Sequence, residues 1–389
     1  MVSRAKVVHI ITKLELGGAQ ENTLFTLSHL NRERFEPFLI TGQEGILVEE
    51  ALKMEGVKVY LLPHLVREIR PLKDFKALIS LVQLLRQIHS LSEDSRHLIV
   101  HTHGSKAGIM GRWAAKIASV ERIIHTYHGF GFHDYQPKFV KWFYILLEWF
   151  TSRITTRFIC VSHANREKGI KLGLFKDDQV CLIRSGIDLE RFSSPQRSRE
   201  EVRKELGISL DAPLATMIAC FKPQKAPLDF VHLAGLVKKE VPQARFLLVG
   251  DGILRGEIED LKTQLGLEEK LILLGWRRDV PEILNASDCL VLTSLWEGLP
   301  RVFPEAMCLG IPIVATRVDG APEVVKDGVD GFLLPPRDVE GMAEKVIYLF
   351  ENPDKAKEMG ERGKKKVKEF DCYKMVREQE ELYSTLLLT

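Results

Sequence analysis

Short apolar runs rich in β-branched residues alternate with helical patterns from one end of the chain to the other. In the first half the runs are KVVHIIT (6–12), EPFLIT (36–41), VKVYLL (57–62), HLIVHT (97–102), ERIIHTYH (121–128), RFICVS (157–162) and QVCLIRS (179–185). Between them, helical spacing covers residues 20–31, 73–90, 106–119 and 138–152. The second half repeats the rhythm with PLATMIAC (213–220), ARFLLVG (244–250), KLILLG (270–275), DCLVLTS (288–294), IPIVAT (311–316) and GFLLP (331–335). Strands that are apolar throughout, separated by helices, predict parallel sheets covered on both faces. There are too many for one open sheet. The rhythm breaks over SPQRSREEVRKELGISLDAP (194–213), which is polar and ends in Pro213, so a hinge is expected at 188–212. The pattern therefore predicts an α/β protein of two doubly wound domains, 1–187 and 188–370, beside a central cleft. Ligands of such sheets bind outside the carboxyl ends of the strands.

Composition narrows this further. At 389 residues, 45% hydrophobic and 28% charged, the chain is ordinary for a globular protein, which excludes disordered and fibrous classes. It has no apolar run of about 18 residues, so no membrane-spanning helix is expected. The apolar stretch from Val7 to Thr12 is too short for a signal peptide and reads as a first strand. Six scattered cysteines with no C-x-x-C pair suggest reduced thiols, no zinc site and a cytoplasmic setting. The net charge of +2 conceals an asymmetry: residues 100–185 carry 13 Lys and Arg against 6 Asp and Glu. A basic stretch there suggests an anionic partner for the first half. No zinc-finger, RNP or basic-zipper pattern supports nucleic acid in that role. The run Lys364, Lys365, Lys366 and Lys368 reads as a solvated helix face.

Two glycine loops follow strands. Gly17 and Gly18 open a helix after the first strand, where free amides could approach a phosphate or a sugar. Gly250, Gly252 and Gly256 nearly match a dinucleotide fingerprint, but no acidic residue stands at the expected strand end. That leaves a nicotinamide-dependent oxidoreductase as a minor reading. The sharpest signal is Glu297-Gly-Leu-Pro-Arg-Val-Phe-Pro-Glu305, which runs from a strand end into a helix. Backbone amides from Gly298 through Leu299, Pro300, Arg301 and Val302 could meet a pyrophosphate, with Pro300 lending only shape. An ionised Glu305 only accepts hydrogen bonds and suits a vicinal diol.

In these segments the sequence resembles retaining glycosyltransferases of family 4, of GT-B architecture. Glu297 and Glu305 match the family's E-x7-E pair, and GGAQ, HTHGSKAGIMGR, TYHGFGFHDYQ, VSHANREKGI, RSGIDLERF and DGAPEVVKDGVDGFLLPPRD look like family segments in the family's order. The likeness covers roughly residues 5–370. It implies two Rossmann-like domains, acceptor-binding first and nucleotide-sugar-binding second, with a C-terminal helix (371–389) packing back toward the first.

The resemblance implies catalytic roles for His128, Lys225 and Glu297, with Lys225 on the departing diphosphate and Glu297 near the donor sugar. Gly17, Gly18, Lys222, Arg277, the loop Gly298 to Val302 and Glu305 would contact the donor, the base being read by backbone near Arg277. His103, Phe130 and Tyr135 would face the acceptor. The family usually carries an arginine five residues before the lysine. Here that position is Cys220: either Lys222, two residues on, substitutes for the arginine or the site works with one cation fewer. No D-x-D triplet occurs, so no metal and no other cofactor is expected. Whether retention uses a carboxylate nucleophile or front-face displacement stays open. Asp188 reads as structural.

The expected partners are a nucleotide sugar (uridine diphosphate first, guanosine diphosphate mannose second) and a glycan or polyprenyl-linked acceptor. Helix 138–152 is aromatic and flanked by bases, so it fits either the surface of an anionic membrane on its inner face or the protein core. The reading is thus a retaining glycosyltransferase in cell-surface polysaccharide or glycolipid synthesis. An epimerase of the same architecture and a non-catalytic nucleotide-sugar binder are the alternatives.

Overall fold

A computed structural model describes residues 4–91 and 97–388. They form two compact units. One runs to Gly186 and takes in the residues from Cys372 onward; the other is Ile187–Asp371.

The first unit holds β1 (Ala5–Ile10), β2 (Phe35–Thr41), β3 (Lys58–Leu61), β4 (Leu98–His103), β5 (Arg122–Tyr127), β6 (Arg157–Cys160) and β7 (Val180–Leu182), in the order 3-2-1-4-5-6-7. The second holds β8 (Leu214–Ile218), β9 (Arg245–Val249), β10 (Leu271–Gly275), β11 (Cys289–Leu292), β12 (Ile313–Thr316) and β13 (Gly331–Leu334), in the order 10-9-8-11-12-13. All the pairings are parallel. In each sheet the winding reverses at the centre, between β1 and β4 and between β8 and β11. Loops leaving those strands diverge, and that opening is where such sheets take ligands.

β1, β4 and β5 are buried at every position, as expected for strands covered on both faces. Val8, Ile10, Phe38, Val100 and Ile123 pack on one side with Leu81, Leu85, Ile88 and Ala114. On the other side Val7, Ile99, Ile124 and Ile159 pack with Met375, Val376, Tyr383 and Leu386 of the helix Cys372–Leu388. The C-terminal helix thus completes the core of the first unit. Its entry is tight: a β-carbon on Gly186 would lie 2.4 Å from the Cα of Cys372, so only glycine fits there.

Apolarity around helix Lys138–Ser152 left its environment undecided; the structure places its aromatic side outward. Phe139 is 76% exposed, Trp142 63% and Phe143 59%. The buried side is polar in part, which periodicity does not reveal. Glu148 pairs with Arg112 at 2.7 Å, accepts from the Tyr127 hydroxyl at 2.9 Å, and sits beside Thr151, which accepts from Trp113 Nε1 at 3.1 Å. Arg112 has no solvent exposure. Arg112→Ala strands a buried carboxylate, and we expect a loss of about 3–5 kcal/mol, read from denaturant unfolding of the first unit.

The lysine run is not uniformly solvated. Lys364, Lys365 and Lys368 are exposed, but Lys366 donates to Asp330 at 2.6 Å and to the Val324 carbonyl at 2.9 Å. A buried acid far along the chain recruits it. Asp188 caps a short helix, accepting from the Arg191 amide. Among the described residues no helix is long and apolar enough to cross a membrane.

Candidate active site

In the second unit, β8 and β11 flank the reversal and their loops carry the site. The β8 loop ends in the 3-10 turn Pro223–Lys225, and the β11 loop carries Ser294 and Glu297. The loops are stitched together. The Leu295 amide donates to the Gln224 carbonyl at 2.8 Å, Gln224 Nε2 donates to the Trp296 carbonyl at 2.9 Å, and Thr293 Oγ1 lies 2.9 Å from the Lys225 carbonyl. This frame brings Lys225 Nζ onto Glu297 Oε1, which also accepts from Ser294 Oγ at 2.6 Å. The Glu297 amide donates to Asp319 Oδ2 at 2.7 Å. Ala226 (φ 43°) and Asp319 (φ 39°) adopt left-handed backbone, which side chains with a β-carbon rarely take. Both adjoin the Lys225–Glu297 pair, and such strain concentrates where geometry serves function.

The Glu297 side chain is 7% exposed and that of Lys225 19%. An ammonium so far out of water interacts with developing negative charge more strongly than one in solvent. Beyond Glu297 the chain continues through buried Gly298, Leu299 and Pro300 into the helix Val302–Cys308. Glu305 on that helix is 9% exposed, with Arg301 Nη2 3.8 Å from its Oε1. Arg277 is held by its neighbours: it donates to both oxygens of Asp279, at 2.7 and 2.6 Å, and to Glu205 at 3.0 Å. The hydrogen bond from Arg277 holds the Asp279 carboxyl below the usual range.

In the first unit a second cluster lies at the strand ends of the other reversal. Register sets His9 beside His101 and His103 beside Thr126. Strand alternation turns these side chains to the face covered by the C-terminal helix. His9 Nδ1 is 2.8 Å from His103 Nε2, and His103 Nδ1 is 3.1 Å from His128 Nε2. Burial first, and then the charge of His128, push His9 down to about 3. Burial likewise drives His101 and His103 well below the usual imidazole range, so all three are neutral near pH 7. Among the described residues they are the group with spacing suited to a metal ion, their ligand atoms lying within 4.8 Å of one another. Half-buried His128 lines a small recess with Asn22, Thr126 and Ser185, and the Asn22 Nδ2 there is buried with no hydrogen-bond partner.

The chain was compared with known proteins. Residues 16–191 match the model of glycosyltransferase family 4, and residues 198–366 that of glycosyl transferases group 1. It is 35% identical over 350 residues to the UDP-Gal:alpha-D-GlcNAc-diphosphoundecaprenol alpha-1,3-galactosyltransferase of Escherichia coli, covering 89% of this chain and 88% of that one. The chain is a family 4 glycosyltransferase. The transferase is also 35% identical over 193 residues to the N-acetyl-alpha-D-glucosaminyl L-malate synthase of Bacillus anthracis, about half of each chain (49% and 50%). Among solved structures, Anabaena HepE in complex with UDP and glucose superposes with a TM-score of 0.83 at 21% identity, covering 98% of this chain and all of that one. Sucrose-phosphate synthase from Thermosynechococcus elongatus gives 0.83 at 20% identity, over 99% and 100%. These likenesses show the fold, which is GT-B.

Within the transferase, the second unit brings Lys225 and Glu297 into contact and runs Gly298 to Val302 and Glu305 on from them. Lys222 opens the turn that carries Lys225, its amide donating to the Cys220 carbonyl at 2.9 Å. Arg277 spends its guanidinium on Asp279 and Glu205. The first unit sets Gly17 at the cap of the helix Gly18–His29 and joins His103 to His128. Tyr135 is 52% exposed. Phe130, assigned to the acceptor by resemblance, has its ring in the core against Tyr127 (4.7 Å) and Phe132 (4.8 Å). Sequence reasoning missed Ser294, Asp319, His9 and Tyr383. Ser294 stands three residues before Glu297 and was within reach of a local argument; the others come from distant segments.

Proposed function

We propose that the transferase moves a sugar, with retention, from a uridine diphosphate sugar to a polyprenyl-diphosphate-linked acceptor, without a divalent metal and on the inner face of an anionic membrane. The observation that carries this is the Lys225–Glu297 pair on the two loops of the β8–β11 reversal. A nucleoside diphosphate gains charge as it leaves, and Lys225 is the cation built to meet it. Glu297, acceptor-only, takes donor-sugar hydroxyls, and Glu305 takes the ribose diol. By the family resemblance His128 is the catalytic residue of the first unit. The E. coli relative's printed donor and acceptor favour the uridine nucleotide and the lipid diphosphate. The missing D-x-D triplet favours metal independence.

The test is a panel of nucleotide sugars by thermal shift, followed by transfer to a polyprenyl-diphosphate sugar with and without chelator. At 100 times its dissociation constant the true donor stabilises by about 2.7 kcal/mol. Stabilisation by uridine nucleotides alone and chelator-resistant transfer are expected. Transfer lost in chelator and restored by manganese overturns metal independence.

The membrane arm rests on the outward aromatic side of helix Lys138–Ser152, where Leu146 (54% exposed) and Phe150 (53%) extend the apolar stripe. The neighbouring helices add Leu72, Phe75 and Ile79 on Pro71–Ser90, and Trp113 and Ile117 on Ser105–Ile117, all exposed. Lys76, Lys116 and Lys138 are exposed on the same three helices. Apolar rings with basic neighbours suit an anionic bilayer interface. We expect co-sedimentation with phosphatidylglycerol vesicles at low salt, release at high salt, and roughly tenfold weaker binding for Trp142→Glu. No binding at any salt concentration removes the membrane arm and leaves the transfer reaction untouched.

A further inference from the structure

Glu297 is held at three points, and two of them fall on one oxygen. Lys225 Nζ and Ser294 Oγ both donate to Oε1, the serine at 2.6 Å, while the Glu297 amide donates to Asp319 Oδ2 at 2.7 Å. An ionised carboxylate accepts at both of its oxygens. Neither side-chain donor uses Oε2. With the amide pinned and Oε1 shared by two donors, the carboxylate cannot turn about its last bond without breaking one of them. The position of Oε2 is thereby set.

The two donors differ in what else they can do. Lys225 is carried on a flexible four-carbon stem, its side chain is 19% exposed, and an ammonium has three protons, so it can turn to a second anion. Ser294 is 0% exposed and has a single hydroxyl proton, which Glu297 receives. The serine is itself fixed, since Thr316 Oγ1, at the end of β12, donates to the Ser294 carbonyl. A diphosphate that draws the ammonium to itself therefore loosens the Lys225 hold on Glu297 and leaves the Ser294 hold intact.

We propose that Ser294 is a positioning residue for sugar transfer: it holds Glu297 Oε1 so that Oε2 is presented to a hydroxyl of the donor sugar, and keeps it there while Lys225 serves the departing diphosphate. This rests on the reading that Glu297 takes donor-sugar hydroxyls. On that reading Ser294 acts on the sugar half of the donor and not on its nucleotide half, and it acts wholly through Glu297.

The experiment is titration calorimetry on the full chain with UDP-galactose, UDP-glucose and UDP-N-acetylglucosamine, UDP serving as the control that lacks a sugar. For the sugar nucleotide that binds the wild type best, Ser294→Ala is expected to weaken binding about tenfold, the scale of a lost hydrogen bond to a charged group. UDP affinity is expected to stay within about twofold, because the serine does not act on the nucleotide. In a Glu297→Ala background the further change Ser294→Ala should cost less than about twofold, since the group it orients is gone. Ser294→Cys keeps a weak donor of similar size and serves if Ser294→Ala does not fold; an intermediate loss confined to the sugar nucleotide is expected. Equal weakening of UDP and the sugar nucleotide, or full additivity in the double variant, marks a merely structural serine and overturns the proposal. So does a Ser294→Ala protein that still prefers the sugar nucleotide over UDP as the wild type does, while Glu297→Ala has lost that preference. A Glu297→Ala protein with the preference intact overturns the reading of Glu297, and the proposal with it.

Discussion

Lys225→Ala lowers kcat/KM for sugar transfer by about 10²–10³-fold, the range seen when one preorganised donor to a developing negative charge is removed. Glu297 Oε1 holds the ammonium, and Ser294 Oγ, 2.6 Å from the same oxygen, holds Glu297. The loop cross-links at Gln224 and Thr293 do not involve the Lys225 side chain, so the truncation leaves the frame standing. The loss belongs in kcat and should be shared by slow donor hydrolysis, because the leaving diphosphate is the same in both reactions. Lys225→Arg retains charge but not shape, and should recover only part of the rate. Steady-state kinetics at saturating acceptor decide it; a Lys225→Ala enzyme within threefold of wild type removes the assigned role.

The second large effect is acid lability of the first unit. Burial drives His9 to about 3 from an ordinary 6.5, and puts His101, His103 and His125 well below 6.5. For His125 the charge of Arg112 adds to burial. The sign is set by linkage: below about 6.5 the unfolded chain takes up protons that the folded unit refuses. Stability is therefore full above the unfolded value and is lost as pH falls from about 6.5 toward the folded values, for His9 toward about 3. Each buried ring costs about 1.4 kcal/mol per pH unit in that window. With four such rings, unfolding near pH 5 should take up more than one proton. Calorimetry in buffers of different ionisation enthalpy measures that number, and uptake below one refutes the burial argument.

What could be read along the chain follows from the range of the interactions. Both sheets were legible because their strands are apolar on both faces and separated by helices. Element ends differ by up to three residues: β2 begins at Phe35 where the run EPFLIT begins at Glu36, and β7 ends at Leu182 where QVCLIRS runs to Ser185. Glu297 and Glu305 were legible because they sit in one local segment with its own chemistry, and Lys225 through the family resemblance of its segment. The environment of the aromatic helix was not, since Glu148 and Arg112, 36 residues apart, decide which side is buried. The histidine line was harder still. Tyr383 meets His9 across 374 residues, and no spacing along the chain announces such a contact. Asp319 reaches the Glu297 amide from another loop, through an uncommon backbone conformation that composition does not disclose.

The helix Cys372–Leu388, which closes one side of the first sheet, has a consequence for biosynthesis. It leaves the ribosome after the whole of Ile187–Asp371, which is a contiguous stretch and able to finish without it. The half of the protein translated first is thus the half completed last. Until then Val7, Ile99 and Ile124 lack their cover, and the nascent sheet is a natural client for a chaperone.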